Sequence, residues 1–402
     1  MANFTNDYPT LMIHGLGGWG ENDAITKVMP YWGFRPDRRL TSHLRDAGYE
    51  IYFPGLGMIN CAWDRACELW AYLMGGTVDY GKVHSEKNGH ARYGRTYEHG
   101  ALEDWGKPGK HEKVNLVGHS FGGPTVKQFA EIVLHGMQEE IDGTDPDDLS
   151  DFFKKDKAQK IHVVMTLSGV NNGTLFASMF QENGMRTMEK ALLRFMYYVG
   201  DTPVVKAIDF HLPQWGITKF PYEIKGFNFR ETTPAIEIFN RFCQNTDDRI
   251  SKEMQFETVT DVVNPKQTTD PKVYYFAKIA CMTHAKPDGT HAPDFGMFII
   301  PKLAGIWCGK WSNDELKEKY GLDESWYPND GFVNVVGQRA PFNAPQTEWN
   351  PQNQEVKPGI WYNMPVEYLH HMSWMGLGMD KRQYFKYFDD MLDFFKTLPV
   401  VD

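Results

Sequence analysis

The sequence predicts an α/β fold in which a mostly parallel central sheet carries helices on both faces. Short apolar runs typical of buried strands recur at residues 10–13, 49–53, 114–117, 161–167 and 273–279. Helix-like stretches lie between them, at 39–47 and 126–134. Strands that alternate with helices are typical of parallel sheets. We therefore interpret residues 1–402 as a single domain with insertions.

Composition narrows the classes of function. With 42% hydrophobic and 23% charged residues, the chain is expected to fold around a sizeable core. A formal net charge of -10 argues against nucleic acid as a partner, because phosphates would repel this surface. No apolar run is long enough for a membrane span, since the best one is interrupted by Pro301 and Lys302. Five cysteines without a CxxC pair do not describe a disulfide framework.

Two segments interrupt the alternation of strands and helices. Residues 60–100 are rich in Gly, Tyr and His, and we interpret them as an excursion from the sheet. Residues 175–242 carry amphipathic patterns with many Met and aromatic side chains, which predicts a helical lid insertion. A buried helical layer is the alternative, because Met residues at helical spacing usually belong to a core.

A GxSxG motif at residues 118–122 predicts a serine nucleophile at Ser120. The motif follows an apolar strand and precedes a helix, which is the context that a nucleophile turn requires. The Phe121 N–H would then face a developing oxyanion, and the Leu16 N–H of the HGLGG loop at 14–18 would be the second donor. An ordinary Gly-rich turn between strand and helix is the alternative.

A serine nucleophile of this kind needs an acid and a histidine that follow it in the chain. Asp330 lies in an NDG turn before a strand-like run, and we predict it to be the acid. One of His370 and His371 should be the base. His284 and His291 are rival bases, but both precede Asp330 and would break the chain order.

Asp64, His84 and His90 fall within the excursion at 60–100. Imidazole and carboxylate ligands suit Zn²⁺, although the spacing is not that of a zinc finger. Scattered surface residues are the alternative interpretation.

Several longer motifs resemble the zinc-containing bacterial lipases of the thermoalkalophilic group and their staphylococcal and clostridial relatives. They are HGLGGWG at 14–20, WDRACE at 63–68, GGTVDYG at 75–81, GHARYGRTY at 89–97 and NDG at 329–331. The resemblance implies an α/β-hydrolase fold and cleavage of carboxylic esters, typically of triacylglycerols. It also implies that Ser120 is the nucleophile, Asp330 the acid and His371 the base.

The resemblance further implies a structural zinc site on Asp64, His84 and His90. The fourth ligand of the family has no clean counterpart here, and we choose Asp248, with Asp247 as the alternative. A calcium site is doubtful, because Ser373 stands where many members have a glutamate and Asp380 is displaced from the expected Asp-Pro. Gly296 does match a calcium-contact position.

We therefore expect a lipase that cleaves triacylglycerols or other water-insoluble esters, acting where lipid meets water. The alternatives are an esterase or polyester hydrolase acting on short-chain or synthetic esters, and a non-catalytic, zinc-stabilised binding protein. The resemblance implies secretion, but the chain carries no signal-peptide pattern, which leaves a cytoplasmic location open. The sequence does not determine the oligomeric state.

Overall fold

Seven parallel strands form the central sheet of the protein, in a computed structural model that describes residues 4–179, 214, 237, 246–350 and 355–401. In chain order, the sheet strands are β1 (Thr10–Ile13), β2 (Ile51–Tyr52), β5 (Lys113–His119), β6 (Lys160–Leu167), β7 (Tyr274–Ala280), β10 (Gln346–Glu348) and β11 (Trp361–Glu367). Their spatial order is β10-β11-β7-β6-β5-β1-β2, and every pairing is parallel. The predicted fold class is confirmed.

Two short antiparallel hairpins lie outside this sheet. They are built from β3 (Gly76–Asp79) with β4 (Tyr93–Tyr97), and β8 (Thr283–Ala285) with β9 (His291–Pro293). The first hairpin belongs to the segment 60–100, which thus leaves the main sheet as an excursion.

The described helices lie between and after the strands. The α-helices are α1 (Leu40–Asp46), α2 (Ala62–Met74), α3 (Lys82–Asn88), α4 (Gly122–His135), α5 (Gln138–Gly143), α6 (Leu175–Met179), α7 (Ile250–Glu253), α8 (Phe256–Thr258), α9 (Ile299–Cys308), α10 (Asp314–Tyr320), α11 (Val335–Gln338) and α12 (Lys381–Thr397). Short 3-10 turns include His371–Met375, and Val259–Val263 forms a π-helical turn.

Helices cover both faces of the sheet because its strands are apolar on both sides. In β1, Leu11 and Ile13 join a core with α2 and α4, whereas Met12 between them joins a second core with α12. This alternation follows from the two-residue period of a strand. Both cores lie against the strands that carry the functional residues described below.

The sequence predicted the central strands better than those at and near the two edges of the sheet. The run at 49–53 forms only the two-residue edge strand β2, and at the opposite side the edge strand β10 and its neighbour β11 were not predicted. Both β10 and β11 contain polar residues, and Pro365 interrupts β11, so their apolar pattern is weak.

The predicted lid at 175–242 lies outside the described residues, apart from 175–179, Gln214 and Glu237. None of the helices in the described part has the length and apolar character that a membrane crossing requires.

Candidate active site and metal cluster

Ser120 lies on a sharp turn between β5 and α4. Its φ of 57° is uncommon for a residue with a side chain and indicates local strain. The backbone around it is tightly packed: a Cβ on Gly118 would lie 2.2 Å from the Gly122 carbonyl oxygen, and a Cβ on Gly122 would lie 2.3 Å from that of Ile13. The glycines of the GxSxG motif are therefore needed to let the turn form.

The loop after β1 packs against this turn. A Cβ on Gly15 would lie 2.6 Å from the Ser120 Cβ, so the loop and the serine are in close contact. Among the described residues, no acceptor takes a hydrogen bond from the Leu16 N–H or the Phe121 N–H. Both groups therefore remain able to donate to an oxygen atom of a bound molecule.

Asp330 and His371 are in direct contact. His371 Nδ1 lies 2.8 Å from Asp330 Oδ2, and the His371 N–H donates to the Asp330 carbonyl oxygen at 2.8 Å. The other carboxylate oxygen, Oδ1, accepts the N–H groups of Phe332 at 3.0 Å and Val333 at 2.9 Å. Asp330 is fully buried, and both of its carboxylate oxygens have protein partners. These contacts fix the orientation of the carboxylate. The expectation of a strand after Asp330 is wrong, because the short helix α11 follows instead.

A buried hydrogen-bonded chain connects the two loops. His119 Nε2 lies 3.1 Å from the His371 carbonyl oxygen, which can only accept, so Nε2 carries the proton. Burial and the neighbouring His371 lower the pKa of His119 well below its usual range, so the ring is neutral. Its Nδ1 then accepts the Tyr31 hydroxyl at 2.6 Å, and the Tyr31 oxygen accepts the Gly15 N–H at 2.9 Å. Sequence reasoning missed both Tyr31 and His119, because nothing in their local pattern signals this contact.

The structure distinguishes His371 from the other candidate bases. His370 is buried and turned toward Gly378, where a Cβ would lie 2.8 Å from its Nε2, and neither of its ring nitrogens has a partner in the described chain. His284 pairs with Asp294 at the surface, and His291 lies beside Thr283. None of these three histidines lines the cavity that contains Ser120, whereas His371 does.

Ser120 and His371 both open into one largely apolar cavity of about 420 Å³. Its walls come from the loop after β1, the segment 29–34, helices α6 and α9, and the segment 371–375. The lining side chains include Leu16, Trp19, Met29, Tyr31, Phe34, Val170, Phe176, Met254, Ile300, Phe332, Val333, Met372 and Met375. An apolar cavity lined by both a serine and a histidine suits a bound molecule with a hydrophobic group next to these two side chains.

A second cluster of side chains brings together Asp64 of α2, His84 and His90 from the segment around α3, and Asp248, which is far away in the chain. His84 Nε2 lies 3.3 Å from Asp64 Oδ1 and 3.0 Å from Asp248 Oδ2. His90 Nε2 lies 3.9 Å and 3.4 Å from the same two oxygens. Asp247 instead is exposed and faces Arg249 and Lys252.

Local structure explains why the excursion presents these residues. Glu140 accepts the N–H groups of Val83 at 3.1 Å and His84 at 2.7 Å, which caps the start of α3. Gly81 is required there, because a Cβ would lie 2.4 Å from Glu140 Oε1. Trp63 stacks on the His84 ring, with centroids 4.7 Å apart, and orients it.

A bidentate ion pair fixes the hairpin that carries His90. Arg92 donates from Nε and Nη2 to the two carboxylate oxygens of Asp79, at 2.9 and 2.8 Å. Asp79 and Arg92 belong to the GGTVDYG and GHARYGRTY motifs, so these motifs form the scaffold of the cluster.

The cluster has the character of a cation site. Asp64 Oδ1 is buried and accepts no hydrogen bond from the described residues. Burial and the nearby Asp248 carboxylate raise the pKa of Asp64, which reflects the cost of two negative groups close together. A cation between the carboxylates would offset this repulsion, so the donor set fits a metal ion.

Two neighbours of the cluster were not selected from the sequence. Cys61 Sγ belongs to the same group, since its sulfur and donor atoms of Asp64, His84 and Asp248 all lie within 4.8 Å of one another. Gln214 Nε2 donates to Asp64 Oδ2, and the backbone carbonyl oxygen of Gln214 accepts the Ala91 N–H at 3.1 Å. In the sequence, Cys61 and Gln214 belong to no recognisable motif, so nothing indicated that they lie beside the cluster.

One residue connects this cluster to the loop beside Ser120. Arg65, next to Asp64 in α2, is fully buried and donates from Nη2 to the His14 carbonyl oxygen. Its guanidinium also lies over the Phe121 ring, 5.6 Å from the centroid. The position of α2 therefore affects both segments that contribute Leu16 and Phe121.

Asp380, considered above for calcium, caps helix α12. Its Oδ1 accepts the N–H groups of Arg382 at 2.9 Å and Gln383 at 3.4 Å. This contact gives Asp380 a structural role, and a calcium site stays doubtful.

The seven-stranded parallel sheet and the strained turn at its centre define an α/β-hydrolase fold. The chain belongs to the family described as "Lipase-like, C-terminal domain", whose model matches residues 6–400. It is 30% identical over 378 residues to a lipase of Staphylococcus epidermidis, a match that covers 93% of this chain and 50% of that protein. The chain thus spans about half the length of the curated relatives it matches.

Solved structures agree with this assignment. The crystal structure of Staphylococcus hyicus lipase matches with a TM-score of 0.82 and 28% identity, covering 98% of this chain and 97% of that one. EstA from Clostridium botulinum matches with a TM-score of 0.81 and 29% identity, covering 100% and 90%. The resemblance to staphylococcal and clostridial members is confirmed.

Proposed function

We propose that the protein is a serine carboxylic-ester hydrolase, and specifically a lipase. The observation that carries this proposal is the shared apolar cavity, into which the strained Ser120 and the Asp330-bound His371 both open. The names of its relatives support the same chemistry, since they include two staphylococcal lipases and EstA from Clostridium botulinum.

The contacts support a mechanism through an acyl-enzyme. Asp330 accepts a hydrogen bond from the His371 Nδ1–H group, which leaves Nε2 free to take the Ser120 proton. Ser120 Oγ then attacks the ester carbonyl carbon, while the Leu16 and Phe121 N–H groups hold the oxyanion. His371 returns the proton to the leaving alcohol, and water releases the acid by the reverse sequence.

The apolar walls favour an ester with a hydrophobic acyl or alcohol part. A water-insoluble substrate such as a triacylglycerol fits this description, and short-chain or synthetic esters are the alternative. Turnover of a series of esters from short to long acyl chains separates the two. A preference for long chains supports a lipase, and a loss of activity beyond short chains supports an esterase.

Substitution of the serine tests whether the protein is an enzyme at all. Ser120→Ala should abolish turnover of a short-chain p-nitrophenyl ester, by several orders of magnitude. Ser325→Ala is the matched control, because Ser325 is exposed, lies outside the cavity and, within the described part of the chain, donates its hydrogen bonds to Asp323. A folded wild-type protein without turnover would instead favour a non-catalytic binding protein.

We further propose that the metal is a structural Zn²⁺ held by Asp64, His84, His90 and Asp248. Bonds of about 2.0–2.1 Å place the donors of a tetrahedral zinc site about 3.3 Å apart. The nitrogen–oxygen separations of 3.0, 3.3, 3.4 and 3.9 Å fit that arrangement. Four protein ligands leave no open position, so such a metal would stabilise the excursion and take no part in the reaction.

Metal analysis tests this assignment. The purified protein should hold one zinc per chain, and His84→Ala should reduce that content and the melting temperature. His99→Ala is the matched control, because His99 lies in the same excursion but is exposed and outside the cluster. Equal zinc content in both variants would show that the ligands are wrong.

A further inference from the structure

The metal cluster contains one donor more than a tetrahedral site needs. Besides the two carboxylates and two imidazoles, the Cys61 sulfur lies within 4.8 Å of donor atoms of Asp64, His84 and Asp248. Cys61 is fully buried and forms no disulfide with the cysteines that the structure describes. The sulfur is therefore shielded from solvent and directed to the cluster.

The backbone holds Cys61 in this position. Cys61 is the N-cap of α2, and its sulfur accepts the Asp64 N–H at 3.3 Å. Oxygen-bearing residues such as serine are the usual N-caps, so capping alone does not require a thiol. A sulfur at this position adds a soft donor to a site whose other donors are oxygen and nitrogen.

We propose that Cys61 is a fifth ligand of this site and that its thiolate lets the site bind larger, thiophilic divalent cations of the Cd²⁺ class. On binding, the Cys61 S–H bond loses its proton to solvent and a sulfur–metal bond forms, without any change of oxidation state. A smaller cation is held by the other four donors. This inference concerns metal selection and does not depend on ester hydrolysis.

Cadmium binding to the full chain tests the proposal. The chain is freed of metal with a chelator and titrated with Cd²⁺, and the ultraviolet charge-transfer absorption of a sulfur–cadmium bond is recorded. One equivalent of Cd²⁺ should produce this absorption in the wild type. Cys61→Ser, which keeps an N-cap, should bind Cd²⁺ without the absorption and should lose roughly tenfold in preference for Cd²⁺ over Zn²⁺.

Cys67 supplies a matched control. It is a buried, free cysteine on the same helix but is not part of the cluster, so Cys67→Ala should keep the absorption. Absorption that persists in Cys61→Ser would overturn the proposal, and so would a wild type that binds Cd²⁺ without it or does not bind Cd²⁺. If Cys61→Ser fails to fold, a variant with Ser in place of the other four cysteines decides the question, because only Cys61 can then produce the absorption.

Discussion

Replacement of Asp330 by Asn tests the geometry around His371 most directly, because the two side chains have nearly the same shape. Asp330 uses both oxygens as acceptors: Oδ2 faces His371 Nδ1, and Oδ1 accepts two backbone N–H groups. An amide has only one oxygen, so Asn cannot accept on both sides.

Two orientations of the amide are possible. If its NH₂ group faces the N–H groups of Phe332 and Val333, two buried donors lose their acceptor, at a cost of about 1–3 kcal/mol each. If its NH₂ group faces His371, every buried group stays paired, but the ring must accept at Nδ1. The second orientation is therefore favoured, and it places the imidazole proton on Nε2.

A His371 ring that carries its proton on Nε2 cannot accept the proton of Ser120. We expect Asp330→Asn to lower kcat by about 10⁴-fold, which corresponds to about 5 kcal/mol in the activation barrier. The free energy of unfolding should change by less than about 2 kcal/mol, because the buried hydrogen bonds are kept.

Turnover of a soluble p-nitrophenyl ester and thermal melting, measured on the same preparations, check this expectation. Asp294→Asn is the matched control, because Asp294 also pairs with a histidine, His284, but outside the cavity. If folded Asp330→Asn keeps more than about a tenth of the wild-type kcat, the assigned role of Asp330 in orienting the base is refuted.

Three further predictions concern the turn, the base and the response to acid. His371→Ala should lose several orders of magnitude in turnover, whereas His370→Ala should stay active, and the reverse result in this ester assay would reassign the base. Gly122→Ala should destabilise the protein by about 3 kcal/mol in denaturant titration, because its Cβ would lie 2.3 Å from the Ile13 carbonyl oxygen. Burial lowers the pKa of His162 to about 4, so the unfolded chain binds more protons between pH 6.5 and 4 and stability falls as the pH falls through this window. From pH 7 to pH 5 this group should cost roughly 2 kcal/mol, and His162→Gln should lose that part of the pH dependence in the same titration.

Much of the fold could be predicted because its signals are local. The central strands are continuous apolar runs, and the GxSxG turn requires glycines two residues before and two residues after the serine. The edge strand β10 and its neighbour β11 could not be predicted from their own weak apolar pattern. β11 pairs with β7, which is far away in the chain, and β10 pairs with β11, so both strands depend on tertiary contacts.

By itself, the sequence determined the class of fold, the position of Ser120 and the chain order of the residues that follow it. Two adjacent histidines, 370 and 371, have the same local pattern, and only the tertiary structure places one beside Asp330 and the other beside Gly378. In the same way, Asp247 and Asp248 differ by one position, yet only Asp248 faces His84. Which neighbour of a pair enters a site depends on the backbone direction at that residue, and this direction is set by packing between segments far apart in the chain.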